Sequence, residues 1–269
     1  MLINKLTMII NTCDKFSDLW APHVKLLNRN WPDRDMRTLL VTDDTTDARF
    51  EGVEVVSTGK GKELSERLKT VMDDIHTEYI LVSLDDYFPI YKIDSAAIEK
   101  LVSYMDSYHL DYIRLFKRPN SNKKLKGTEN LYLIDLNSKI DTHYQINLYA
   151  GIWRKSFLEK AVAKKRNAWE FELSLTRLGR KLNARCAMSK GGEFEVLDVV
   201  RKGKLLHKSN SYLKRNGLYN GDRKVISWKE EIKLNFMKFI KTVAPQKLID
   251  FAKRIMRKNG MHFYSDDVI

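Results

Sequence analysis

Two adjacent aspartates at the end of an apolar segment are the residues whose types and spacing most directly suggest chemistry. Residues 80–90 read ILVSLDDYFPI, so Asp85 and Asp86 directly follow a run of mostly apolar residues. Where a strand runs into a loop, two neighbouring carboxylates can reach one ligand. Such oxygen ligands suit Mg²⁺ or Mn²⁺, which usually binds through one or two carboxylates and substrate phosphates. The alternative interpretation is a simple turn, because aspartate is common where strands end.

The elements that must position these aspartates alternate between strands and helices. Apolar runs predict strands at residues 6–11, 37–42, 53–57, 79–84 and 111–116, and helical spacing predicts helices at 17–30, 62–75 and 95–107. This order is typical of an α/β fold, a Rossmann-like, mostly parallel sheet with helices on both faces. Ligands of such sheets bind beyond the carboxyl ends of the strands, where Asp43 and Asp44 also fall.

The second half of the chain has a looser pattern. It predicts a polar loop at residues 119–130, strands at 131–134, 146–153 and 194–200, and helices at 156–165 and 167–183. We expect one catalytic domain over residues 1–210, followed by a basic, amphipathic helical region over residues 211–269.

The positive charge is concentrated in the C-terminal region. The chain of 269 residues has a net charge of +13. Residues 201–269 contain 17 Lys and Arg against 6 Asp and Glu, which is +11, and the preceding 200 residues contain 31 against 29, which is +2. Two amphipathic helices are predicted there, the first with an apolar face of Trp228, Ile232, Phe236, Phe239 and Ile240, and the second after Pro245. An anionic membrane surface is the expected partner; packing of these helices on the body is the alternative.

Several classes of protein are disfavoured by the sequence. The chain has no run of 18 apolar residues, its N-terminus becomes polar too early for a secretory signal, and its two cysteines form no disulfide framework. A cytoplasmic protein, peripheral at the inner face of the cell membrane, is therefore expected. A nucleic-acid-binding protein that uses the basic region is an alternative function, but no zinc-finger, helix-turn-helix or RNP-like motif accompanies that region, so nucleic acid is not an expected partner.

Short motifs at the strand ends resemble those of a known enzyme family. The first strand ends in NTCDKF, the second in VTDD and the fourth in LDDYF, and residues 145–172 read QINLYAGIWRKSFLEKAVAKKRNAWEFE. Together, over about residues 6–200, they resemble a bacterial nucleotide-sugar-dependent glycosyltransferase of the GT-A fold, similar to the family 2-like enzymes of capsule, O-antigen and cell-wall polysaccharide synthesis. The resemblance implies inverting transfer from a nucleotide sugar, expected to be a UDP-sugar, to a lipid-linked or growing polysaccharide acceptor.

The resemblance also implies roles for the residues that match these motifs. Thr12 would lie against the nucleobase, Asp43 or Asp44 would accept hydrogen bonds from the base or ribose, and Asp85 would approach the ribose. Asp86 would bind the Mn²⁺ or Mg²⁺ that bridges the diphosphate. The general base would be Glu170 or Glu172, with Glu172 preferred; the alternative for either is a helix-capping role.

Four further residues complete the predicted site. Trp153 and Trp169 would offer apolar faces to sugar rings, His207 would be a further metal ligand, and Lys204 would neutralise the diphosphate. The family motif is D-x-D, whereas here the two aspartates are adjacent, which puts metal dependence in question. A sugar nucleotidyltransferase is the alternative enzyme, although the loop NTCDKFS lacks the glycines that such enzymes place after the first strand.

Overall fold

The centre of the structure is a mixed sheet of eight strands. A computed structural model describes residues 1–44, 46–137 and 144–243, and side chains as far as residue 235. The strands are β1 (Leu6–Asn11), β2 (Thr38–Thr42), β3 (Glu54–Ser57), β4 (Tyr79–Leu84), β5 (Tyr87–Pro89), β6 (Tyr112–Arg114), β7 (Leu131–Leu133), β8 (Gly151–Arg154), β9 (Cys186–Ser189), β10 (Val196–Asp198), β11 (Val200–Arg201) and β12 (Lys204–Leu205). The sheet has the order β3-β2-β1-β4-β8-β6-β9-β7, and β5 pairs with β10 in a separate two-stranded sheet.

Helices alternate with these strands along the chain, and two further helices follow the last strand. They are α1 (Trp20–Asn30), α2 (Leu64–Val71), α3 (Ser95–Ser107), α4 (Lys155–Ala161), α5 (Ala168–Lys181), α6 (His207–Arg215) and α7 (Trp228–Val243). Two 3₁₀ helices, Leu2–Asn4 and Asp14–Leu19, precede β1 and α1. The predicted α/β class is confirmed, and most predicted elements lie within a few residues of their expected positions.

Helices lie on both faces of the sheet because side chains alternate along its buried strands. On one face Ile9 of β1 and Val82 of β4 pack with apolar residues of α2, α4 and α5. On the other face Met8 and Leu81, the preceding residues in each strand, pack with α1 and α3. A strand covered on both faces is apolar at nearly every position, which is why the central strands read as continuous hydrophobic runs.

The strand order defines where a ligand can enter. The pairs β2–β3, β1–β2, β1–β4 and β6–β9 are parallel, whereas β4–β8, β6–β8 and β7–β9 are antiparallel. The succession β3-β2-β1-β4 has the order of a Rossmann sheet, which reverses between β1 and β4. The carboxyl ends of these two strands therefore flank the crevice in which such folds bind their ligands.

One predicted strand is much shorter than expected. The sequence predicts a strand over residues 146–153, but β8 begins only at Gly151. The backbone N–H groups of Ile146 and Leu148 donate to the side chains of Thr176 and Glu172 instead of to a neighbouring strand. These hydrogen bonds to α5 keep the segment before β8 out of the sheet. The strands β5 and β9 and the helix α6 are elements that the sequence pattern did not predict.

The chain forms two compact units, one ending at Leu197 and the other beginning at Asp198. The second unit contains the hairpin of β11 and β12, whose turn residues Lys202 and Gly203 both have positive φ, followed by α6 and α7. In the described part of the chain, no helix combines the length and the apolar character needed to cross a membrane. The second amphipathic helix predicted after Pro245 lies outside the described residues.

The start of α5 provides a test of the fold next to the predicted base. The Asn167 side chain accepts hydrogen bonds from the N–H groups of Trp169 and Glu170, and Glu170 accepts one from the N–H of Asn167. We expect Asn167→Ala to lower the free energy of unfolding by about 1 kcal/mol, because two helix N–H groups lose their acceptor. Asn167→Asp keeps an acceptor and is the matched control. Chemical denaturation measures both; equal stability of the two variants would contradict this assignment.

Candidate functional site

A buried hydrogen bond between Thr12 and Asp85 lies at the crevice between β1 and β4. In the parallel register of these strands, Asn11 is opposite Leu84, so the residues that follow them meet at the carboxyl edge. The Thr12 hydroxyl donates to the Asp85 carboxylate and accepts from Trp20 Nε1 at 2.7 Å. Thr12 and Asp85 are both buried. The Thr12 hydroxyl thus orients Asp85 from within the protein, and contact of Thr12 with a nucleobase stays a prediction.

His23 supports the same residue from α1. Its Nδ1 lies 3.1 Å from the backbone oxygen of Asp85, and its ring meets Phe88 edge-on at 5.3 Å between ring centroids. His23 Nε2 is buried and has no hydrogen-bond partner among the described residues. Burial lowers the pKa of His23 to about 4, against the opposing effect of the Asp85 backbone oxygen. His23 is therefore neutral at neutral pH and fixes the backbone of the turn that carries the adjacent aspartates.

Two further aspartates lie where β1 and β2 end. The backbone N–H of Asp14 donates to Asp43 Oδ1 at 2.8 Å, and the Thr42 hydroxyl donates to Asp14 Oδ1 at 2.7 Å. Both carboxylates are half-buried. The neighbouring Asp44 forms an ion pair with Lys60 at 3.1 Å. Asp43 is therefore linked to β1 through Asp14, whereas Asp44 pairs with a lysine.

Asp86 and Arg67 bring opposite charges to this edge of the sheet. Asp85 and Asp86 form the turn between β4 and β5, and the Asp86 side chain is half-buried. The Arg67 side chain, 9% exposed, donates from Nη1 to the Lys62 backbone oxygen, and its Nε–H has no acceptor in the described part of the chain. Burial raises the pKa of the Cys13 thiol, and the charge of Asp85 raises it further. The charge of Arg67 lowers the same pKa, so Arg67 acts electrostatically on the residue that follows Thr12.

Tyr87, the residue after Asp86, belongs to a stack of three aromatic rings that we call the aromatic platform. Tyr87 stacks on Tyr149 with ring centroids 4.7 Å apart, and Tyr149 stacks on Phe116 with centroids 3.9 Å apart. Because β8 is antiparallel to β4 and β6, the residues before β8 lie beside the residues that follow those strands. Tyr149 and Phe116 are half-buried. The platform therefore offers partly accessible aromatic surface at the same edge as the aspartates.

Arg114 fixes the segments that carry this platform. Its side chain is fully buried in β6 and donates to the backbone oxygens of Phe116 at 2.9 Å and Gln145 at 2.6 Å, and also to that of Pro119. A buried guanidinium is costly unless it is hydrogen-bonded, and here several carbonyl groups satisfy it. Arg114 thereby ties the end of β6 to the irregular segment before β8.

The two predicted bases occupy different environments on α5. Glu170 is exposed and belongs to the capping box that begins the helix. Glu172 is half-buried and accepts a hydrogen bond from the Leu148 N–H at 3.1 Å. Leu148 is the residue before Tyr149 in the chain. Two positions apart on a helix, the glutamates face different directions. Glu172 thus contacts the segment that carries the aromatic platform, and Glu170 closes the first turn of α5.

The two predicted sugar-binding tryptophans have opposite exposures. Trp153 is 1% exposed and packs between Tyr112 and Phe157, with ring centroids at 4.4 and 5.9 Å. Trp153 is thus a core residue and presents no surface to a ligand. Trp169 is 56% exposed on the first turn of α5, beside Glu170. Of the two, only Trp169 has accessible ring surface.

Lys204 and His207 belong to the second unit and have partners there. Lys204 forms an ion pair with Glu230 at 2.9 Å. His207 Nδ1 pairs with Glu231, and the His207 ring stacks on Trp228 with centroids 3.6 Å apart. Within the described residues, no group of three or more His, Cys, Asp or Glu side chains is arranged to hold a metal ion. The metal-binding roles of Asp86 and His207 stay predictions.

Several residues of this site carry no clear functional signal in the sequence. Asp14 stood in the quoted motif NTCDKF, but its link to Asp43 depends on the pairing of β1 with β2. Arg67 lies within the regular helical pattern of α2. A basic residue next to the apolar face of a helix is common and gives only a weak signal of function. Tyr149 and Phe116 lie in segments predicted as strands, where aromatic residues are common and carry no functional signal.

Comparisons with known proteins give a likeness of architecture only. No protein-family model matches the chain, and no curated protein matches it. Among solved structures, S. aureus TarS is 15% identical over 71% of this chain and 36% of its own, with a TM-score of 0.49. The fragment TarS 1–349 in complex with UDP-GlcNAc is 18% identical over 75% of this chain and 60% of its own, with a TM-score of 0.48. A cytidylyltransferase from Leptospira borgpetersenii is 12% identical over 81% of this chain and 98% of its own, with a TM-score of 0.45. The chain spans less than two thirds of the length of TarS, and similarity at this level carries no information about reaction or substrate.

The buried His23 makes the stability of the site dependent on pH. Its pKa is lowered to about 4 in the folded chain, whereas an unfolded histidine titrates near its ordinary value of 6.5. The unfolded state therefore takes up a proton first, and the contribution of His23 to the free energy of unfolding falls as pH drops from about 6.5 to about 4, by roughly 1 kcal/mol per pH unit. Chemical denaturation across this pH range measures the effect.

His23→Asn tests whether His23 causes this pH dependence, because asparagine retains an N–H donor for the Asp85 backbone oxygen and does not titrate. We expect the variant to lose much of the acid dependence between pH 6.5 and about 4. The matched control is His76→Asn, since His76 is exposed; its stability profile should follow that of the unaltered chain. An unchanged pH profile in His23→Asn would contradict the assignment.

Proposed function

We propose that the protein is a glycosyltransferase that uses a nucleotide-sugar donor. The observation that carries this proposal is the gathering of Asp14, Asp43, Asp85 and Asp86 at the carboxyl ends of β1, β2 and β4, with Arg67 close by. Nucleotide ligands bind α/β sheets at such a switch point. Carboxylates there accept hydrogen bonds from ribose hydroxyls and base N–H groups, which is the chemistry that a nucleoside offers.

The diphosphate of the donor requires positive charge at this otherwise acidic edge. The Arg67 Nε–H, which has no acceptor among the described residues, provides a charge-assisted donor for a phosphate oxygen. Asp86 is the proposed ligand of Mn²⁺ or Mg²⁺, which supplies electrostatic stabilisation of the leaving diphosphate when it is bound. We propose UDP as the nucleotide, in line with the resemblance of the strand-end motifs.

The acceptor is proposed to bind on the side of the aromatic platform. Sugar rings pack their C–H faces on aromatic side chains, and Phe116 and Tyr149 have accessible surface beside Asp86. In an inverting transfer, an acceptor hydroxyl attacks the anomeric carbon while the bond to the diphosphate oxygen breaks. The hydroxyl proton passes to a carboxylate, for which Glu172 and Glu170 are the candidates. A lipid-linked or growing polysaccharide is the proposed acceptor.

Donor binding provides the first test. UDP and a panel of nucleotide sugars are titrated calorimetrically against the protein, with and without MnCl₂. Asp43→Asn keeps an oxygen that can accept the Asp14 N–H but removes the charge, so we expect it to bind UDP about 10- to 100-fold more weakly. Asp86→Asn should lose only the part of the affinity that depends on Mn²⁺.

Asp73→Asn is the matched control for these charge changes, because Asp73 is exposed two residues beyond the end of α2; its UDP affinity should equal that of the unaltered chain. Failure of every nucleotide and nucleotide sugar to bind would refute the proposed function.

The identity of the base is tested by exchanging each glutamate for glutamine. Glutamine retains a side-chain oxygen for the Asn167 N–H at position 170 and for the Leu148 N–H at position 172, so both variants keep the structural hydrogen bond. Loss of the base should slow release of UDP from a UDP-sugar by about two to four orders of magnitude without weakening UDP binding. We expect this of Glu172→Gln; the same loss in Glu170→Gln alone would assign the base to Glu170.

The leaving group separates the proposed function from the alternative of nucleotidyl transfer. A glycosyltransferase releases a nucleoside diphosphate from a nucleotide sugar, whereas a nucleotidyltransferase releases pyrophosphate from a nucleoside triphosphate. Pyrophosphate release from UTP and a sugar phosphate would therefore favour the alternative.

A further inference from the structure

The helix α7 begins at a well-defined capping box. Ser227 Oγ accepts the N–H of Glu230 at 3.3 Å, and Glu230 Oε2 accepts the N–H of Ser227 at 3.2 Å. Reciprocal hydrogen bonds of this kind fix the first turn of a helix and the angle at which the chain enters it. The direction in which the first side chains of α7 project is therefore determined by local structure.

Two acidic side chains attach α7 to its own unit. Glu230 pairs with Lys204 of β12, and the hydrogen bond from Lys204 is the main cause that lowers the pKa of Glu230 to about 2. Glu231 pairs with His207 Nδ1 and also accepts the His207 backbone N–H at 3.2 Å. The acidic residues of this helix are thus used in contacts within the second unit, and they hold that side of α7 against β12 and α6.

The apolar side chains at the start of α7 remain exposed. Trp228 and Ile232 are 66% and 64% exposed, and their spacing of four residues puts them on the same face of the helix. One face of the Trp228 ring stacks on His207, which holds the ring in place while most of its surface remains accessible. Large exposed apolar side chains on successive turns of one helix face indicate an interaction surface. In the sequence, Phe236 and Phe239 continue the same helical spacing.

Basic residues adjoin this apolar face. Lys229 and Lys233 follow Trp228 and Ile232 directly in the helix, and both side chains are exposed. The acidic residues of the helix are engaged by Lys204 and His207, so the outward part of α7 is apolar and cationic. Residues 201–269 as a whole contain 17 Lys and Arg against 6 Asp and Glu. An anionic bilayer complements both properties, because tryptophan favours the membrane interface and lysines reach the headgroups.

We propose that α7 docks the protein on anionic membranes through Trp228 and Ile232, with Lys229 and Lys233 at the lipid headgroups. The pairs Lys204–Glu230 and His207–Glu231 orient the helix for this contact. The lysines would also attract a nucleic acid. A nucleic acid, however, has no apolar phase in which an exposed isoleucine beside the tryptophan could be buried. The proposal is independent of the proposed function, because Trp228, Ile232, Lys229 and Lys233 are not among the residues proposed to bind the donor.

Sedimentation of the full chain with vesicles tests the docking surface. We expect binding to vesicles of phosphatidylcholine mixed with phosphatidylglycerol, and weaker binding to phosphatidylcholine alone or at high salt. The double variant Trp228→Ala, Ile232→Ala should bind about tenfold more weakly or worse, because it removes the apolar contact. The matched control is Ile3→Ala together with Tyr91→Ala, two exposed apolar residues elsewhere in the chain, which should bind as the unaltered chain does.

Fluorescence identifies the residue that enters the lipid. Brominated lipid should quench part of the tryptophan emission, and Trp228→Phe should remove that quenching while Trp169→Phe, at another exposed tryptophan, retains it. Equal vesicle binding by the double variant would overturn the proposal. So would tighter binding to random DNA than to anionic vesicles, or self-association that depends on Trp228 in a chain that does not bind vesicles. UDP binding by the double variant is measured in parallel, so that failure of the donor site is recognised separately.

Discussion

The buried hydrogen bond between Thr12 and Asp85 is the interaction on which the rest of the site depends. The two residues are 73 positions apart and meet only because β1 and β4 pair in parallel with Asn11 opposite Leu84. A buried carboxylate is stable only when its oxygens are satisfied, and the Thr12 hydroxyl, itself held by Trp20, satisfies one of them. His23 completes this support by fixing the backbone of the same turn. The orientation of Asp85 is therefore set before any ligand arrives.

The reversed strand β8 determines what lies next to this turn. An all-parallel arrangement would bring only strand ends to the carboxyl edge, but β8 runs in the opposite direction between β4 and β6 and brings its leading segment there. Arg114 and Glu172 hold that segment by hydrogen bonds to its backbone. Tyr149 then completes the stack that begins at Tyr87. The antiparallel strand thus places aromatic surface beside the aspartates.

The electrostatics of the site favour a ligand that has hydroxyl and N–H donors as well as anionic groups, together with a cation. Aspartates at positions 14, 43, 85 and 86 accumulate negative charge, and hydroxyl and N–H groups of a ligand would satisfy it. Arg67 offers a buried N–H without an acceptor among the described residues, which suits a phosphate oxygen. A nucleoside diphosphate has both kinds of group. This combination, and not the fold by itself, supports the proposed donor.

The sequence by itself determined the α/β class, the strands of the first half, the acidic strand ends and the basic C-terminal region, because each depends on local composition and periodicity. Only the tertiary structure decided that Thr12 faces inward, that Trp153 is a core residue and that Glu170 closes a capping box. It also brought Asp14, Arg67 and Tyr149 to the site, and it directed Trp228 and Ile232 outward by pairing Glu230 and Glu231 within the second unit. The physical reason is that side-chain direction and hydrogen-bond partners depend on strand register and helix attachment. Those depend on contacts between residues distant in the chain, which local patterns do not specify.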